Sequence, residues 1–252
     1  MVWNPNPIAF EVFGTSVAWY GLSWSLAILF GYFVMRFIFK RDGKNLNKLV
    51  PFIQYIFIGS LAGARLFEMI FYQTETFFNN PLTFFYFRDG GLASHGAMLG
   101  TIVVIYLFSK ANKDFSIPYL MDRSIIAATL QGGIVRLGNF MNSELYGTVT
   151  EMPWAVKFIQ IDHFFRHPVQ VYEAFWLFAC FGLFFVIYLK MKNLRPWFLT
   201  SLFFVIVLSG RVVLEFFKEA ETLIFIFSKT QIISLIGILL GFLLLRYSYS
   251  KN

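Results

Sequence analysis

A chain of 252 residues that is 58% hydrophobic, 21% aromatic and only 14% charged carries more apolar surface than one water-soluble core can bury, which excludes an ordinary globular domain. The net charge of +7 would suit a nucleic-acid binder, but its basic residues are distributed over separate links between apolar runs, a pattern of membrane topology. The single cysteine, Cys180, lies inside an apolar run; it excludes an internal disulfide and reads as a small packing residue.

In chain order, the N-terminal stretch MVWNPNPIAFEVFG has no basic n-region and holds two prolines, so the first apolar segment is expected to stay as a span. About 20 apolar residues cross hydrocarbon. Seven windows meet that need, at about 17–39, 49–72, 92–109, 117–138, 168–189, 197–217 and 230–246. Lys40, Arg41, Lys44 and Lys48 follow the first; Lys110 and Lys113 follow the third; Lys190, Lys192 and Arg195 follow the fifth; Arg246 and Lys251 mark the tail. The intervening links are nearly balanced, with Arg88 against Asp89 and Glu75, and Lys218 and Lys229 against Glu219 and Glu221. This alternation predicts an all-α polytopic membrane protein with seven transmembrane helices, N-terminus outside and C-terminus in the cytoplasm. The whole chain is expected to form one membrane domain. Residues 73–91 form an interfacial outer-face element in it, and residues 140–167 a small extracytoplasmic cap.

With that topology the intramembrane polar residues share one depth, the outer half. Tyr20 opens the first span, Arg65 and Glu68 lie in the second, and His95 sits about a turn into the third. Arg136 and Asn139 end the fourth with Glu144 just beyond, Glu173 follows the start of the fifth, and Arg211 and Glu215 close the sixth. Polar groups are costly at such depth and mark functional sites. Arginine grips phosphate with a planar fork of donors and stays charged when buried. Two of them at outer-leaflet depth match the position of a phospholipid headgroup, with carboxylates to hold them and a histidine able to take a proton. Blander readings stand beside these. Arg65 with Glu68 reads as a structural ion pair, and Arg211 with Glu215 as either a self-satisfied i, i+4 pair or part of a phosphate grip. His167, before Pro168, serves equally as a cap or as a positioning group. His163 reads as loop surface, and Asp122 with Arg123 as a helix-end anchor. Three histidines far apart in sequence make no metal case.

The run Arg136-Leu137-Gly138-Asn139-Phe140-Met141-Asn142-Ser143-Glu144-Leu145-Tyr146-Gly147 resembles the R-x-G-N-F-x-N-x-E-x-x-G motif of bacterial prolipoprotein diacylglyceryl transferases. Further stretches match in the same order: Trp19-Tyr20-Gly21; Asp89-Gly90-Gly91 through Ser94-His95-Gly96; Arg166-His167-Pro168 through Tyr172-Glu173; and Arg211 with Glu215-Phe216-Phe217-Lys218. The resemblance runs from about residue 17 to the last span. It departs at Ile134-Val135 after Gly133, at Ala93 before Ser94-His95-Gly96, and at Val169 and Val171.

The resemblance implies a seven-span enzyme of the bacterial inner membrane. It would move the diacylglyceryl group of phosphatidylglycerol to the lipobox cysteine of a preprolipoprotein, release glycerol phosphate, and need no cofactor. Carried over by position, the functional residues are Tyr20, His95, Arg136, Asn139, Glu144, Gly147, Arg211 and Glu215. The acceptor cysteine becomes the thiolate nucleophile, with His95, water or the lipid phosphate taking its proton. Arg136 and Arg211 hold the phosphate, while Glu144, Glu173 and Glu215 orient the arginines. Asn139, Tyr20, Gly147 and His167 line the lipid. The partners expected are phosphatidylglycerol, the lipobox segment and surrounding membrane lipids, not nucleic acid. A relative that binds phospholipid without turnover, or an envelope-complex subunit, is the alternative.

Overall fold

The computed structural model describes residues 1–86, 91–191, 193–219, 223–224 and 227–250. In chain order it contains β1 (Val2–Trp3), β2 (Ile8–Val12), β3 (Thr15–Ala18), α1 (Trp19–Arg41), α2 (Leu49–Phe71), α3 (Thr74–Asn79), α4 (Ser94–Ala111) and α5 (Ile117–Met141). Then come β4 (Val156–Phe158), β5 (Phe165–Arg166), α6 (Val169–Lys190), α7 (Phe198–Leu202), α8 (Leu208–Glu215), β6 (Leu223–Ile224), β7 (Phe227–Ser228) and α9 (Lys229–Ser250). A π turn over Phe203–Val207 joins α7 to α8, so 198–215 runs as one helix.

Helices fall in each of the seven expected windows. Five stretches, Trp19–Arg41, Leu46–Phe71, Val169–Lys190, Phe198–Glu215 and Lys229–Ser250, are long and apolar enough to cross a membrane. His95–Ala111 is apolar but shorter, and α5 dilutes its apolar run with Asp122, Arg123 and Arg136. Phe57, Ile58, Leu107, Ile236 and Leu239 on these helices are more than half exposed, surface suited to hydrocarbon and not to water. Helices α1, α4 and α6 each end in a basic last turn, at Lys40 and Arg41, Lys110, and Lys190. Between 73 and 86 the chain forms α3 and a 3-10 turn over Pro81–Phe85. Arg88, Asp89, Gly90, Lys192, Glu221 and Lys251 lie outside the described residues.

The all-α expectation needs correcting, because short strands are present. β2 and β3 pair antiparallel around Phe13 and Gly14, both at positive φ (49° and 75°), the geometry that two-residue hairpin turns require. The β-branched and aromatic residues flanking that turn favour strand. In the cap, β1 pairs parallel with β4, and β4 pairs antiparallel with β5. β4 alternates buried Val156, half-buried Lys157 and buried Phe158. Trp3, Phe140 and Tyr146 pack round that phenylalanine or each other, and Trp3 Nε1 donates to the Phe140 carbonyl at 3.1 Å.

The chain divides into two compact units, one of residues 1–35 and 122–252, the other of residues 36–121. In the second, α2 and α4 cross with almost no side chain between them. A Cβ at Gly63 would press on the Gly96 carbonyl and Gly100, and one at Gly96 on the Gly63 carbonyl. This is the small-xxx-small contact by which membrane helices approach closely. Arg65 sits beside it, 2% exposed, and its guanidinium donates to the carbonyls of Thr83 (2.7 Å), Tyr86 (3.0 Å), Gly91 (3.1 Å) and Phe84 (3.2 Å). The arginine read as half of a structural ion pair is thus structural through backbone carbonyls, holding the link that precedes α4.

In the first unit, Leu177 and Phe178 of α6 pack against Gly132 and Gly133 of α5. Asp122 anchors the far end of α5: its Oδ1 accepts from Thr200 N (2.8 Å) and Thr200 Oγ1 (2.6 Å), satisfying an orphan amide in the first turn of α7. Helix α9 lies along 198–215, with Gly241 against Phe204 and the Ser201 carbonyl.

Gly63→Leu should force the α2–α4 crossing apart and cost about 1–3 kcal/mol, the usual penalty of overpacking. Thermal unfolding of the detergent-purified variant, monitored by near-ultraviolet circular dichroism, would report it as a lowered Tm.

Candidate active site

The site grows from the way α5 ends. Helix α5 stops at Met141, and Ser143 takes the left-handed conformation at φ 56°. The Glu144 amide then donates to the Asn139 carbonyl (2.9 Å) and the Ser143 amide to the Phe140 carbonyl (3.1 Å). These two bonds define a Schellman termination. Serine in place of the usual glycine stores strain on the order of 1 kcal/mol. The turn reverses the chain so that Glu144 falls back over the helix end. Its carboxylate accepts from Asn139 Nδ2 (3.3 Å) and Asn142 Nδ2 (3.0 Å), and its carbonyl accepts from Gln170 Nε2.

Arg136 and Asn139 are three apart and so share a helix face; Asn139 Oδ1 accepts from Arg136 Nη1 at 3.5 Å. From α6, Glu173 brings Oε2 to 2.9 Å of Arg136 Nε and Oε1 to 2.6 Å of Lys218 Nζ. The Arg136 contact is an ion pair without hydrogen-bond alignment. Glu173 is 7% exposed, so its charge is stabilised by these two cations and not by water. Of the three carboxylates expected to orient the arginines, Glu173 touches Arg136 directly and Glu144 reaches it through Asn139. Glu215 is occupied elsewhere: Oε1 accepts from Ser228 Oγ at 3.2 Å, and Oε2 lies 3.7 Å from Lys218 Nζ. Among the described residues the Arg211 guanidinium makes no ion pair. Instead it lines, with Arg136, Glu173, Trp176, Val207 and Leu214, a small cavity of about 60 Å³. That is roughly two waters' share of liquid volume at ~30 Å³ each. The cavity is thus lined by one arginine held by a carboxylate and one that makes no ion pair among the described residues, and guanidinium donors of this kind suit an anion.

Tyr20, Gly147 and His167 belong to the same compact unit as this centre. Tyr20 begins α1 against Gly138, where a Cβ would meet Ser23 and lie 3.7 Å from the tyrosine ring. Gly147 has no room for a side chain between the Phe217 carbonyl, Val169 and His167; its amide donates to the His167 carbonyl at 2.9 Å. His167 Nδ1 lies 3.1 Å from Tyr172 Oη, which itself accepts from Trp154 Nε1 at 2.7 Å. Burial holds the His167 imidazole below its ordinary range. His95 belongs to the other compact unit, where it opens α4 beside Gly96 with its ring 6.2 Å from that of Phe67.

Two residues escaped the sequence reading. Lys218 was quoted as a link charge and as the end of the Glu215-Phe216-Phe217-Lys218 stretch without a role, though it is the second cation on Glu173. Arg166 was quoted as part of a motif without a role, yet it bonds Asp162 through Nη2 (2.6 Å), Glu219 through Nη1 (2.7 Å) and the Gly147 carbonyl through Nη1 (3.1 Å), and stacks on Tyr146. The Arg166 hydrogen bond holds the Asp162 carboxyl below its usual range. The signal available for both was their own place in the matched stretches, Glu215-Phe216-Phe217-Lys218 and Arg166-His167-Pro168.

The family model described as prolipoprotein diacylglyceryl transferase matches residues 7–247. The chain is similar to the phosphatidylglycerol–prolipoprotein diacylglyceryl transferase of Tolumonas auensis, 37% identical across 88% of this chain and 86% of the relative. The proteins of the same name from Chloroherpeton thalassium (33% identical; 87% of this chain, 82% of the relative) and Rickettsia bellii (34%; 96% and 95%) are also similar.

Ser143→Gly should raise stability by about 1 kcal/mol by releasing the positive-φ strain, seen as a higher Tm. A pH dependence follows from His167. Its folded pKa lies below the unfolded value, so protonation favours the unfolded chain, and Tm should fall as pH drops from about 7 through about 6.5 and below. His167→Gln should remove that component of the pH profile.

Proposed function

This chain belongs to the prolipoprotein diacylglyceryl transferase family, and we propose that it transfers the diacylglyceryl group of phosphatidylglycerol to the lipobox cysteine thiol of a preprolipoprotein. The observation that carries this reading is the cavity shared by Arg136 and Arg211, with the first arginine fixed by Glu173 and the second making no ion pair among the described residues. In the reaction the cysteine sulfur attacks the glyceryl carbon bonded to phosphate. A C–S bond forms, the C–O bond breaks with its electrons passing to the phosphate oxygen, and glycerol phosphate leaves.

The two guanidiniums would grip the lipid phosphate and take up the charge that grows on the departing oxygen. Glu173 aligns Arg136, while Glu144 fixes Asn139, whose amide would face the headgroup or ester region together with Tyr20. Gly147, His167 and Glu215 support the wall around them. His95 is proposed to take the thiol proton on the ground of its place in the Ser94-His95-Gly96 stretch, since an imidazole nitrogen can accept one. On this reading all seven helices span the bacterial inner membrane as one domain, N-terminus outside. The basic last turns of α1, α4 and α6 support that orientation by the positive-inside rule, which puts the end of α5 and the cap at the outer leaflet.

The test is transfer by the purified protein from phosphatidylglycerol to a lipobox peptide, followed by glycerol phosphate release and peptide mass gain. Arg136→Ala and Arg211→Ala should each lower the rate by about 10²–10³-fold or more, with Tm little changed for Arg211→Ala and lowered for Arg136→Ala, which leaves the buried Glu173 carboxylate with Lys218 alone. Full activity in either variant would remove the phosphate grip. Lipid binding without release or mass gain in the wild type would overturn the transferase reading.

A further inference from the structure

A second, larger cavity of about 510 Å³ lies between α6 and α8, within the ~300–1,000 Å³ range of small-molecule sites. From α6 it takes Tyr172, Phe175, Trp176 and Ala179, a stripe at helical spacing, and from α8 it takes Ser209 and Gly210 among others. The stripe covers about 10 Å of helix at ~1.5 Å per residue. Its rim is outward: Phe175 is 76% exposed and Val213, which also lines it, 58%. Trp176 and Leu214 line this groove and the arginine cavity alike, so the two spaces are neighbours across one wall.

That wall is fixed with unusual closeness. The Trp176 indole lies directly on Gly210, where any Cβ would strike the ring. Its Nε1 points at the Val207 carbonyl at 3.4 Å, the last residue of the π turn. Irregular turns of this kind within α-helices recur at functional sites. The glycine and the π turn together let a large aromatic stand edge to edge between a cationic cavity and an apolar one.

We propose that the groove seats one acyl chain of the lipid whose phosphate lies between Arg136 and Arg211, and that Trp176 is the partition fixing that chain's path. This rests on the phosphatidylglycerol reading above. A diacyl lipid held by its phosphate must send its chains into apolar surroundings within a few bonds of the glyceryl carbons. The groove is the apolar space that shares a wall with the phosphate cavity. Its outward rim lets the distal part of the chain continue into the bilayer.

Phosphatidylglycerol bearing a diazirine in one acyl chain, photolysed on the wild-type protein in nanodiscs, should label peptides containing Phe175, Ala179 and Ser209. That labelling should exceed the labelling by the matching phosphatidylcholine. Equal labelling by the two lipids overturns the proposal, because the groove would then be only bilayer-facing surface. In the transfer assay, Ala179→Phe narrows the groove and should lower the long-chain to short-chain ratio of kcat/KM severalfold by obstructing the chain's path. An unchanged ratio in the folded variant also overturns it. If the wild type transfers nothing, the transferase reading falls while the labelling comparison still decides whether the groove holds an acyl chain.

Discussion

One carboxylate between two cations governs the centre of this molecule. Glu173 is almost fully buried, and a lone ionised carboxylate there would be expensive, as would Arg136 or Lys218 alone. Together they permit one another. Arg136 comes from α5, Glu173 from α6 and Lys218 from just past α8, so the bridge also fixes where three helices end relative to each other. With Glu215, whose Oε2 lies 3.7 Å from Lys218 Nζ, the cluster is balanced, and Arg211 adds a positive charge that makes no ion pair among the described residues. The excess is what an anion entering the cavity would neutralise.

Around that triad the chain uses backbone geometry to place polar side chains. The Schellman turn at Ser143 returns Glu144 to Asn139, and Asn139 in turn meets Arg136. A helix that simply frayed at Met141 would leave both asparagines without a fixed acceptor. The same economy recurs at Arg166, where one guanidinium ties the cap loop, the Gly147 backbone and Glu219 together. Polar order at the edge of an apolar bundle comes from a few side chains that each satisfy several partners.

Much of this was legible in the residues. Apolar run length marked windows in which helices stand, five of them among the described residues long and apolar enough to cross a membrane, since a run that can cross hydrocarbon is also long enough to be a helix. Spacing placed Arg136 and Asn139 on one face. What escaped depended on distant partners. Lys218 reads as a link charge until Glu173, 45 residues earlier, stands beside it. Trp176 is one aromatic among many until Gly210 and the π turn are seen to hold it. The cap strands are two or three residues long, too short for periodicity to register, and β1 finds its partner only through the fold. The β2–β3 hairpin did carry a local signal, a Phe13-Gly14 turn between β-branched residues, which the apolar tenor of the N-terminus obscured.

The pairing of β1 with β4 has a consequence for how the chain is made. Val2 lies opposite Lys157, and 157 − 2 − 1 leaves 154 residues to be synthesised between them. At ~5–20 residues per second, β1 waits on the order of ten seconds for its partner while most of the bundle is being inserted. An unpaired strand edge is a template for wrong association during such an interval. At two residues β1 is too short to hold a stranger's strand, yet long enough to close the cap once β4 arrives.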